Sequence, residues 1–274
     1  MLGLVPEVNK TLGKDSLSAG TISQETLEIY RGIFSSLKVS SFDSPAKIIT
    51  ITSSIHGEGK SDTTANLAAA IAYSRRRVLL IDADMRKPVQ HQLWNIDNNV
   101  GLSHFLSEKS GLEEAIHQLS PYLSVMTAGI TVAEPSLFFE SSQMKAMLNQ
   151  IRENYDYIIF DAAPILPEPD VIMQGQESEG EIFVSQPKYV RKTDVEAASR
   201  LLDKTKLPVI GLIVNRVSHN EQQENRAPFS HAYRIAEDSI AYQGGGENVP
   251  DSGDTPLKTS VDKVFSNSGS SSRG

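Results

Sequence analysis

The chain has 274 residues, of which 39% are hydrophobic and 22% are charged, and its formal net charge is −8. These values are ordinary for a soluble globular protein with one large α/β domain and tails, or with two small domains. The acidic balance argues against nonspecific nucleic-acid binding. Because the sequence contains no cysteine, disulfides, thiol catalysis, iron–sulfur clusters and cysteine-ligated zinc are excluded.

Two further absences concern targeting. No stretch approaches the roughly 20 consecutive apolar residues that a membrane-spanning helix needs. The N-terminus, MLGLVPEVNK, lacks the charged-then-apolar order of a secretory signal. We therefore expect a cytoplasmic protein.

The first predicted element is a helix near the N-terminus. Residues 1–22 are polar with several glycines and serines, and we expect them to form a flexible lead-in. The following stretch, SQETLEIYRGIFSSL, predicts a helix that begins after Ser23, which is a suitable N-cap. Its apolar residues recur at three- and four-residue spacing and are Leu27, Tyr30, Ile33, Phe34 and Leu37.

Six apolar runs then alternate with helical stretches. The runs are KIITITS, RVLLIDAD, LSVMTAG, YDYIIFDAAP, GEIFVSQ and LPVIGLIVNRV. Several are apolar on both faces, as expected of buried parallel strands. The helical stretches between them are TTANLAAAIAYS, SSQMKAMLNQIRENY and KTDVEAASRLLDKT. This alternation predicts an α/β fold: an open, mostly parallel sheet with helices on both faces.

The composition changes after the last of these strands. From residue 219 onward the chain is rich in Gly, Ser, Asn and acidic residues and poor in aliphatic ones. Such a segment buries too little apolar surface to offset its ordering entropy, so we expect a disordered tail. The predicted organisation is a lead-in at 1–22, one domain at 23–218 and a tail at 219–274.

A phosphate-binding loop is predicted between the first apolar run and the first crossover helix. The sequence SSIHGEGKS joins a strand to a helix, and backbone N–H groups at such a junction bind anions. Ser54 stands where the Walker A pattern has a glycine, but the junction makes a chance match in a surface turn the weaker interpretation. His56 fits a loop-filling role better than acid–base chemistry. The predicted nucleotide-binding residues are Ser54, Gly57, Glu58, Gly59, Lys60, Ser61 and Asp62.

Two carboxylates follow the second apolar run in RVLLIDADMRKP. Asp82 and Asp84 are two residues apart, so both side chains would face one side of a strand. One carboxylate beside Mg²⁺ and another beside a nucleophilic hydroxyl are what phosphoryl transfer requires. The alternative is a strand end with an N-capping aspartate. Beside the phosphate loop, the catalytic interpretation is favoured.

Two later strand ends carry further candidates. Asp161 follows four apolar residues in YDYIIFDAAP, the form of a Walker B strand whose aspartate holds Mg²⁺. Asp170 either belongs to the same loop or caps the next helix, and the sequence leaves both open. Asn215, at the end of LIVNRV, is a candidate for hydrogen bonding to an adenine edge.

The three motifs together resemble the bacterial protein-tyrosine kinases (BY-kinases) of capsule and exopolysaccharide synthesis, within the MinD/ParA-type P-loop ATPases. The resemblance runs from about Glu25 to Val217. It implies a P-loop NTPase fold, ATP and Mg²⁺ as ligands, and catalytic roles for Lys60, Asp82 and Asp84. Asp84 is the better candidate to accept the tyrosine proton, and the implied metal-binding residues are Ser61, Asp82 and Asp161.

The chain departs from the family pattern at three places. The family's C-terminal tyrosine cluster is reduced to Tyr233 and Tyr242, which are the candidate phosphosites. In the family's Glu-x-x-Arg-x-x-Arg interface helix, expected here at 23–38, Glu28 and Arg31 match but the last position is Phe34. Asp62 stands where the family usually has a hydroxyl residue.

The resemblance predicts an ATP-dependent tyrosine autokinase that regulates polysaccharide synthesis and export. It implies a membrane polysaccharide co-polymerase as the activating partner, assembly into a homo-oligomer, and contact with the inner face of the plasma membrane only through that partner. The second hypothesis is a MinD/ParA-like ATPase switch without kinase activity. A scaffold that has lost nucleotide binding is the third.

Overall fold

The computed structural model describes residues 1–7, 22–40, 46–168, 171–205 and 207–218. These ranges contain eight strands: β1 Gly3–Pro6, β2 Ile48–Ser53, β3 Val78–Asp82, β4 Ile116–Ser120, β5 Leu123–Met126, β6 Tyr157–Asp161, β7 Gly180–Ser185 and β8 Val209–Val217. They also contain nine helices: α1 Gln24–Ser40, α2 Lys60–Tyr73, α3 Gln90–Trp94, α4 Leu102–Leu106, α5 Leu112–Ala115, α6 Ser136–Phe139, α7 Ser142–Arg152, α8 Val171–Gly175 and α9 Lys192–Thr205.

The strands form one sheet in the order β1-β8-β7-β2-β6-β3-β5-β4. All neighbouring pairs are parallel except β4 and β5, which are antiparallel. The six predicted strands are confirmed, and so are the three crossover helices, as α2, α7 and α9. The mostly parallel α/β sheet predicted from the alternating pattern is therefore present.

The central strands are buried on both faces, which explains their continuous apolar sequences. Every residue of β2 and β3 is buried. In β2, Ile49 and Ile51 belong to the core that contains the buried residues of α1 and α2, whereas Ile48 packs into a second core with α7. Because successive side chains of a strand face opposite sides, one apolar run serves both helical layers.

Helix α1 begins where the sequence predicts. The Ser23 hydroxyl accepts a hydrogen bond from the Thr26 amide at 3.2 Å, so Ser23 caps the helix. Tyr30, Ile33, Phe34 and Leu37 are each about 2% exposed and face the sheet side of the helix. The Phe34 ring packs edge-on against the Tyr157 ring at 5.3 Å. The inner face of α1 is thus part of the core.

Two strands are absent from the sequence prediction. The expectation of a flexible segment over residues 1–22 is wrong for Gly3–Pro6, which pairs in parallel with β8 at the sheet edge. Four residues with alternating burial give too short a pattern to be distinguished from a polar lead-in. Strand β4 is a half-exposed antiparallel edge, IHQLS, whose mixed composition does not resemble the central strands.

The sheet order brings together the loops that follow strands β2, β6 and β3. Strands β2, β6 and β3 are consecutive neighbours, and all three run parallel. Asp82 is the register partner of Asp161, and Ile51 is the register partner of Asp161 on the other side. The carboxyl ends of parallel strands are where ligands bind in open α/β sheets.

No helix within the described ranges is long and apolar enough to cross a membrane. Several predictions lie outside those ranges and stay predictions. They are the tail at 219–274 with Tyr233 and Tyr242, most of the lead-in, and the role of Asp170.

Candidate functional site

The loop between β2 and α2 has the geometry of an anion cradle. Gly57 and Gly59 have φ angles of +92° and +83°, which residues with a Cβ rarely adopt. Gly59 is the N-cap residue of α2, and no side chain caps that end of the helix. The first N–H groups of α2 and its positive dipole end are therefore directed at the loop. An anion, such as a phosphate, is the matching ligand.

Side-chain hydrogen bonds of Glu58 and Asn215 fix the backbone of the loop between β2 and α2. The Glu58 carboxylate is fully buried and accepts hydrogen bonds from the amides of Ile55 at 2.9 Å and Gln186 at 3.1 Å. The Asn215 amide donates to the Glu58 carbonyl at 2.9 Å, and its oxygen accepts from the Arg216 amide. Burial raises the pKa of Glu58, although the two backbone amides oppose that shift. The Glu58 side chain and the Asn215 side chain therefore both brace the phosphate-binding loop.

Lys60 lies at the centre of a cluster of oxygen atoms. Its Nζ is 3.1 Å from Asp161 Oδ1, 3.2 Å from Asp84 Oδ2 and 3.1 Å from the Ser61 hydroxyl. Burial alone would lower the pKa of Lys60, but the charges of Asp161, Asp84 and Asp82 raise it above its ordinary value. Lys60 is therefore a buried, permanently charged cation.

Asp82 is held through one of its two oxygens by backbone amides. Its Oδ2 accepts hydrogen bonds from the amides of Val89 at 3.0 Å and Gln90 at 2.9 Å. Its Oδ1 is buried and has no hydrogen-bond partner among the described residues. Burial, together with the charge of neighbouring Asp161, raises the pKa of Asp82 well above its ordinary range. A cation beside Oδ1 would relieve both costs.

Asp84 reaches the same cluster from the loop after β3. It is 3% exposed, and its Oδ1 accepts a hydrogen bond from the Lys87 amide at 3.0 Å while Oδ2 contacts Lys60. The five residues singled out by the three motifs are thus brought together. They are Lys60, Ser61, Asp82, Asp84 and Asp161.

The sequence reasoning missed Gln90. Its side-chain amide donates to Asp161 Oδ2 at 2.7 Å and to the Ser61 carbonyl at 3.1 Å, and it is fully buried. The Trp94 indole in turn donates to the Gln90 oxygen at 3.1 Å. Gln90 therefore links the two loops and fixes one oxygen of Asp161. A glutamine in a short helix carries no sequence signal for this role.

Charged side chains surround the mouth of the site. Glu168 pairs with Arg86 and with His56, both at 3.3 Å, and His56 also contacts Lys87 Nζ at 3.3 Å. His56 thus bridges two loops, in keeping with the loop-filling role.

Asp62 lies in the first turn of α2, with its side chain 45% exposed and its carboxylate 3.9 Å from the Arg216 guanidinium. The carboxylate is directed toward the arginine at the rim of the site. Its repulsion of a bound anion is therefore partly offset by Arg216.

The donor set fits a magnesium ion. Three carboxylates share one lysine, so the cluster carries an uncompensated negative charge at neutral pH unless a proton or cation is added. Mg²⁺ prefers oxygen ligands and takes most of them from water and substrate phosphates. In the described part of the chain, no group of three or more His, Cys, Asp or Glu side chains could hold a metal ion by itself.

A family model, a curated relative and two solved structures resemble this chain. Residues 46–174 match the family model described as "AAA domain". The chain is 36% identical over 189 residues to "Tyrosine-protein kinase YwqD" of Bacillus subtilis (strain 168), covering 69% of this chain and 80% of that protein.

Two solved structures have similar folds. The kinase domain of Escherichia coli tyrosine kinase ETK has a TM-score of 0.73 and 25% identity, over 80% of this chain and 91% of that one. The chimerical protein CapA2B2 has a TM-score of 0.70 and 29% identity, over 80% of this chain and 94% of that one.

Proposed function

The chain belongs to the bacterial tyrosine-protein kinases, and from this premise we propose that it transfers the γ-phosphoryl group of ATP to tyrosine side chains. The observation that carries the proposal is the placement of Lys60 between Asp84 and Asp161 at the open end of α2. A cation, an anion-binding helix end and a carboxylate beside the cation are the parts that phosphoryl transfer needs.

The residues of the loop bind and orient the substrate. The N–H groups at the start of α2 hold the phosphates of ATP, and Lys60 leaves the carboxylates to pair with the β- and γ-phosphate oxygens. Mg²⁺ neutralises phosphate charge when bound, and Ser61, Asp82 and Asp161 would hold it. Gln90 and the amides of Val89 and Gln90 keep the two aspartates in position.

Asp84 is the group that accepts the tyrosine proton. Once Lys60 moves to the phosphates, Asp84 loses its ion pair and keeps only the Lys87 amide as a donor. A carboxylate without its counter-ion is a stronger base, so the same lysine movement prepares both the electrophile and the base.

The biological setting is proposed from the family resemblance. The kinase would regulate the synthesis and export of a capsular polysaccharide or exopolysaccharide. A membrane polysaccharide co-polymerase would activate it and hold it at the cytoplasmic face of the membrane. A homo-oligomer assembled through Glu28 and Arg31 of α1 would phosphorylate Tyr233 and Tyr242 between subunits.

Incubation of the chain and its proposed membrane activator with Mg²⁺ and ATP labelled in the γ-phosphate tests the proposed activity. Wild-type protein should become labelled on tyrosine, and Lys60→Met should lose at least about a thousandfold of that rate because the transition-state charge is no longer neutralised. Lys109→Met, at an exposed site, is the matched control. ATP hydrolysis without any phosphotyrosine would replace the kinase with an ATPase switch.

The phosphosites are located in the same experiment by mass spectrometry. Phosphate on Tyr233 or Tyr242 is expected, and replacement of both by Phe should reduce the label. Unmodified Tyr233 and Tyr242 in a labelled protein would overturn the tail assignment while leaving the kinase activity in place.

A further inference from the structure

A loop between β7 and α9 lies against the phosphate-binding loop. The Gln186 amide donates to the buried Glu58 carboxylate at 3.1 Å, and the Gln186 side chain accepts from Arg216 at 3.2 Å. Lys188 has a φ angle of +64°, so the backbone of residues 186–191 makes an irregular turn. The two loops are therefore coupled through the base of the nucleotide site.

Tyr189 is placed by this turn directly on the phosphate-binding loop. Its hydroxyl donates to the His56 carbonyl at 3.3 Å. A Cβ added to Gly57 would lie 2.2 Å from the same hydroxyl oxygen, which shows how closely the phenol approaches the loop. Neither the three motifs nor the proposed mechanism assigns any role to Tyr189.

Tyr189 is also accessible. The residue is 50% exposed, and among the described tyrosines only Tyr73 and Tyr122 are also exposed. Tyr73 ends helix α2, and Tyr122 precedes strand β5 in a turn. Tyr189 differs from both in lying in a six-residue irregular loop, where its hydroxyl makes one long hydrogen bond within the described part of the chain. Such a segment can be presented to the active site of another molecule with little loss of structure.

We propose that Tyr189 is a phosphorylation site, modified by a second copy of this chain, and that its phosphorylation inhibits nucleotide binding. The inference rests on the proposed tyrosine-kinase function. It goes further in two ways. It adds Tyr189 as a phosphate acceptor inside the kinase domain, and it makes the phosphorylated protein a weaker binder of nucleotide.

The reaction is the proposed transfer with Tyr189 as the nucleophile. The phenolic oxygen forms a bond to the γ-phosphorus of ATP, and the bond from that phosphorus to the β–γ bridging oxygen breaks. ADP leaves, and the phenolic proton passes to Asp84 of the phosphorylating molecule and then to solvent.

The consequence follows from charge and hydrogen bonding. A phosphotyrosine carries about −1.5 to −2 charges at pH 7 and cannot donate to the His56 carbonyl as the hydroxyl does. It would place a dianion beside Gly57, on the loop whose amide groups bind the nucleotide phosphates. It competes for those donors and repels ATP, so nucleotide affinity falls.

The site assignment is tested in trans. Catalytically inactive Lys60→Met chain serves as the acceptor for wild-type enzyme, Mg²⁺ and ATP. Cleavage after arginine gives the peptide 153–191 of the acceptor, whose fragment ions distinguish Tyr189 from Tyr155 and Tyr157. Phosphate on Tyr189 is expected. Label on other tyrosines with Tyr189 unmodified overturns this inference alone, whereas no tyrosine label anywhere overturns the kinase proposal as well.

The inhibitory effect is tested by calorimetry with Mg²⁺ and a non-hydrolysable ATP analogue. Wild-type protein phosphorylated by incubation with ATP should bind the analogue at least about tenfold more weakly than the same protein after phosphatase treatment. In Tyr189→Phe the two states should have equal Kd values, whereas Tyr73→Phe and Tyr122→Phe should behave as wild type. Equal Kd values for the two wild-type states would refute the inhibition.

Discussion

Gly59 shows how one residue determines the shape of the phosphate-binding loop. Its φ of +83° disfavours any side chain, and a Cβ would lie 2.1 Å from the Asn215 amide nitrogen. Gly59→Ala should therefore strain the backbone and displace Asn215 from the Glu58 carbonyl. A strain of about 1–3 kcal/mol corresponds to roughly a 5- to 150-fold increase in the Kd for Mg·ATP.

Gly111→Ala is the matched control for this substitution. No atom lies within 4 Å of a Cβ added there, and its φ is −73°. The Kd measured by calorimetry should remain at the wild-type value in this variant. Wild-type affinity in Gly59→Ala would show that the loop does not need this backbone conformation.

Replacing Gln90 tests whether the position of the Asp161 carboxylate affects metal binding. Gln90→Leu leaves Asp161 Oδ2 and the Ser61 carbonyl without their donor. We expect the Mg²⁺ concentration needed for half-maximal phosphorylation to increase about 10- to 100-fold, the usual effect of losing a partner of a metal-binding carboxylate. Gln92→Leu, at an exposed position of the same helix, should be unaffected. Identical Mg²⁺ dependence in wild type and Gln90→Leu would assign Gln90 a purely structural role.

At the residue scale, the sequence predicts which side chains cluster at the site but not the residues that hold them in position. Lys60, Ser61, Asp82, Asp84 and Asp161 lie at or just after strand ends, and the adjacency of the parallel strands β2, β6 and β3 brings them together. The supporting contacts of Gln90 and Glu58 depend on how loops fold over one another. No periodicity or spacing in the chain encodes those contacts.

Two glutamates at the start of strand β7, Glu179 and Glu181, have pKa values that are shifted in opposite directions. Burial raises the pKa of Glu181 to about 8, and its Oε1 has no hydrogen-bond partner in the described structure. Between pH 4.5 and 8 the folded chain keeps a proton that the unfolded chain releases. The free energy of unfolding should therefore fall as pH rises through this window, by on the order of 1 kcal/mol per pH unit.

Urea denaturation between pH 5 and pH 8 tests this expectation. Glu181→Gln should match wild type near pH 5 and become the more stable protein as pH rises, because its amide does not ionise. An unchanged difference between the two proteins across the range would contradict the buried, neutral state of Glu181.

Glu179 is the control, because its pKa is shifted downward and its effect on stability should depend on pH in the opposite sense. Burial alone would raise its pKa, but the amides of Lys47 and Ile48 and the Arg152 guanidinium hold the pKa below its ordinary value. Its stabilisation is present above pH 4.5 and is lost as pH falls. Glu179→Gln should therefore be less stable than wild type at pH 7, and the difference should disappear in acid.

Among the elements, long periodic segments are predicted well and short edges are not. The buried runs of β2, β3 and β6 and the capped helix α1 carry strong patterns. Strand β1 has four residues, and it is a strand because it pairs with β8, more than 200 positions away in the sequence. Local sequence cannot report a partner at that separation.

At the scale of the whole molecule, α1 is the candidate contact between copies. Glu28 and Arg31 are about half exposed and form a 3.2 Å ion pair within one helix. Phe34, in the third position of the family's interface pattern, is 2% exposed and belongs to the core. The outer face of α1 therefore offers two of the three motif positions for assembly.

Glu28→Ala combined with Arg31→Ala tests this contact. Light scattering over a range of concentrations should show an oligomer for wild type and a monomer for the double variant. Lys192→Ala combined with Glu196→Ala removes a comparably exposed ion pair from α9 and should leave the oligomer intact. An unchanged mass in the α1 variant would exclude this face.

The central claim is that Lys60, Ser61, Asp82, Asp84 and Asp161 serve one bound magnesium triphosphate. A crystal structure with Mg²⁺ and a non-hydrolysable ATP analogue tests it most directly. We predict Lys60 Nζ on the β- and γ-phosphate oxygens, the metal about 2.1 Å from the Ser61 hydroxyl, and Asp84 Oδ2 released from Lys60. A nucleotide bound elsewhere, with Lys60 still between Asp84 and Asp161, would contradict the account.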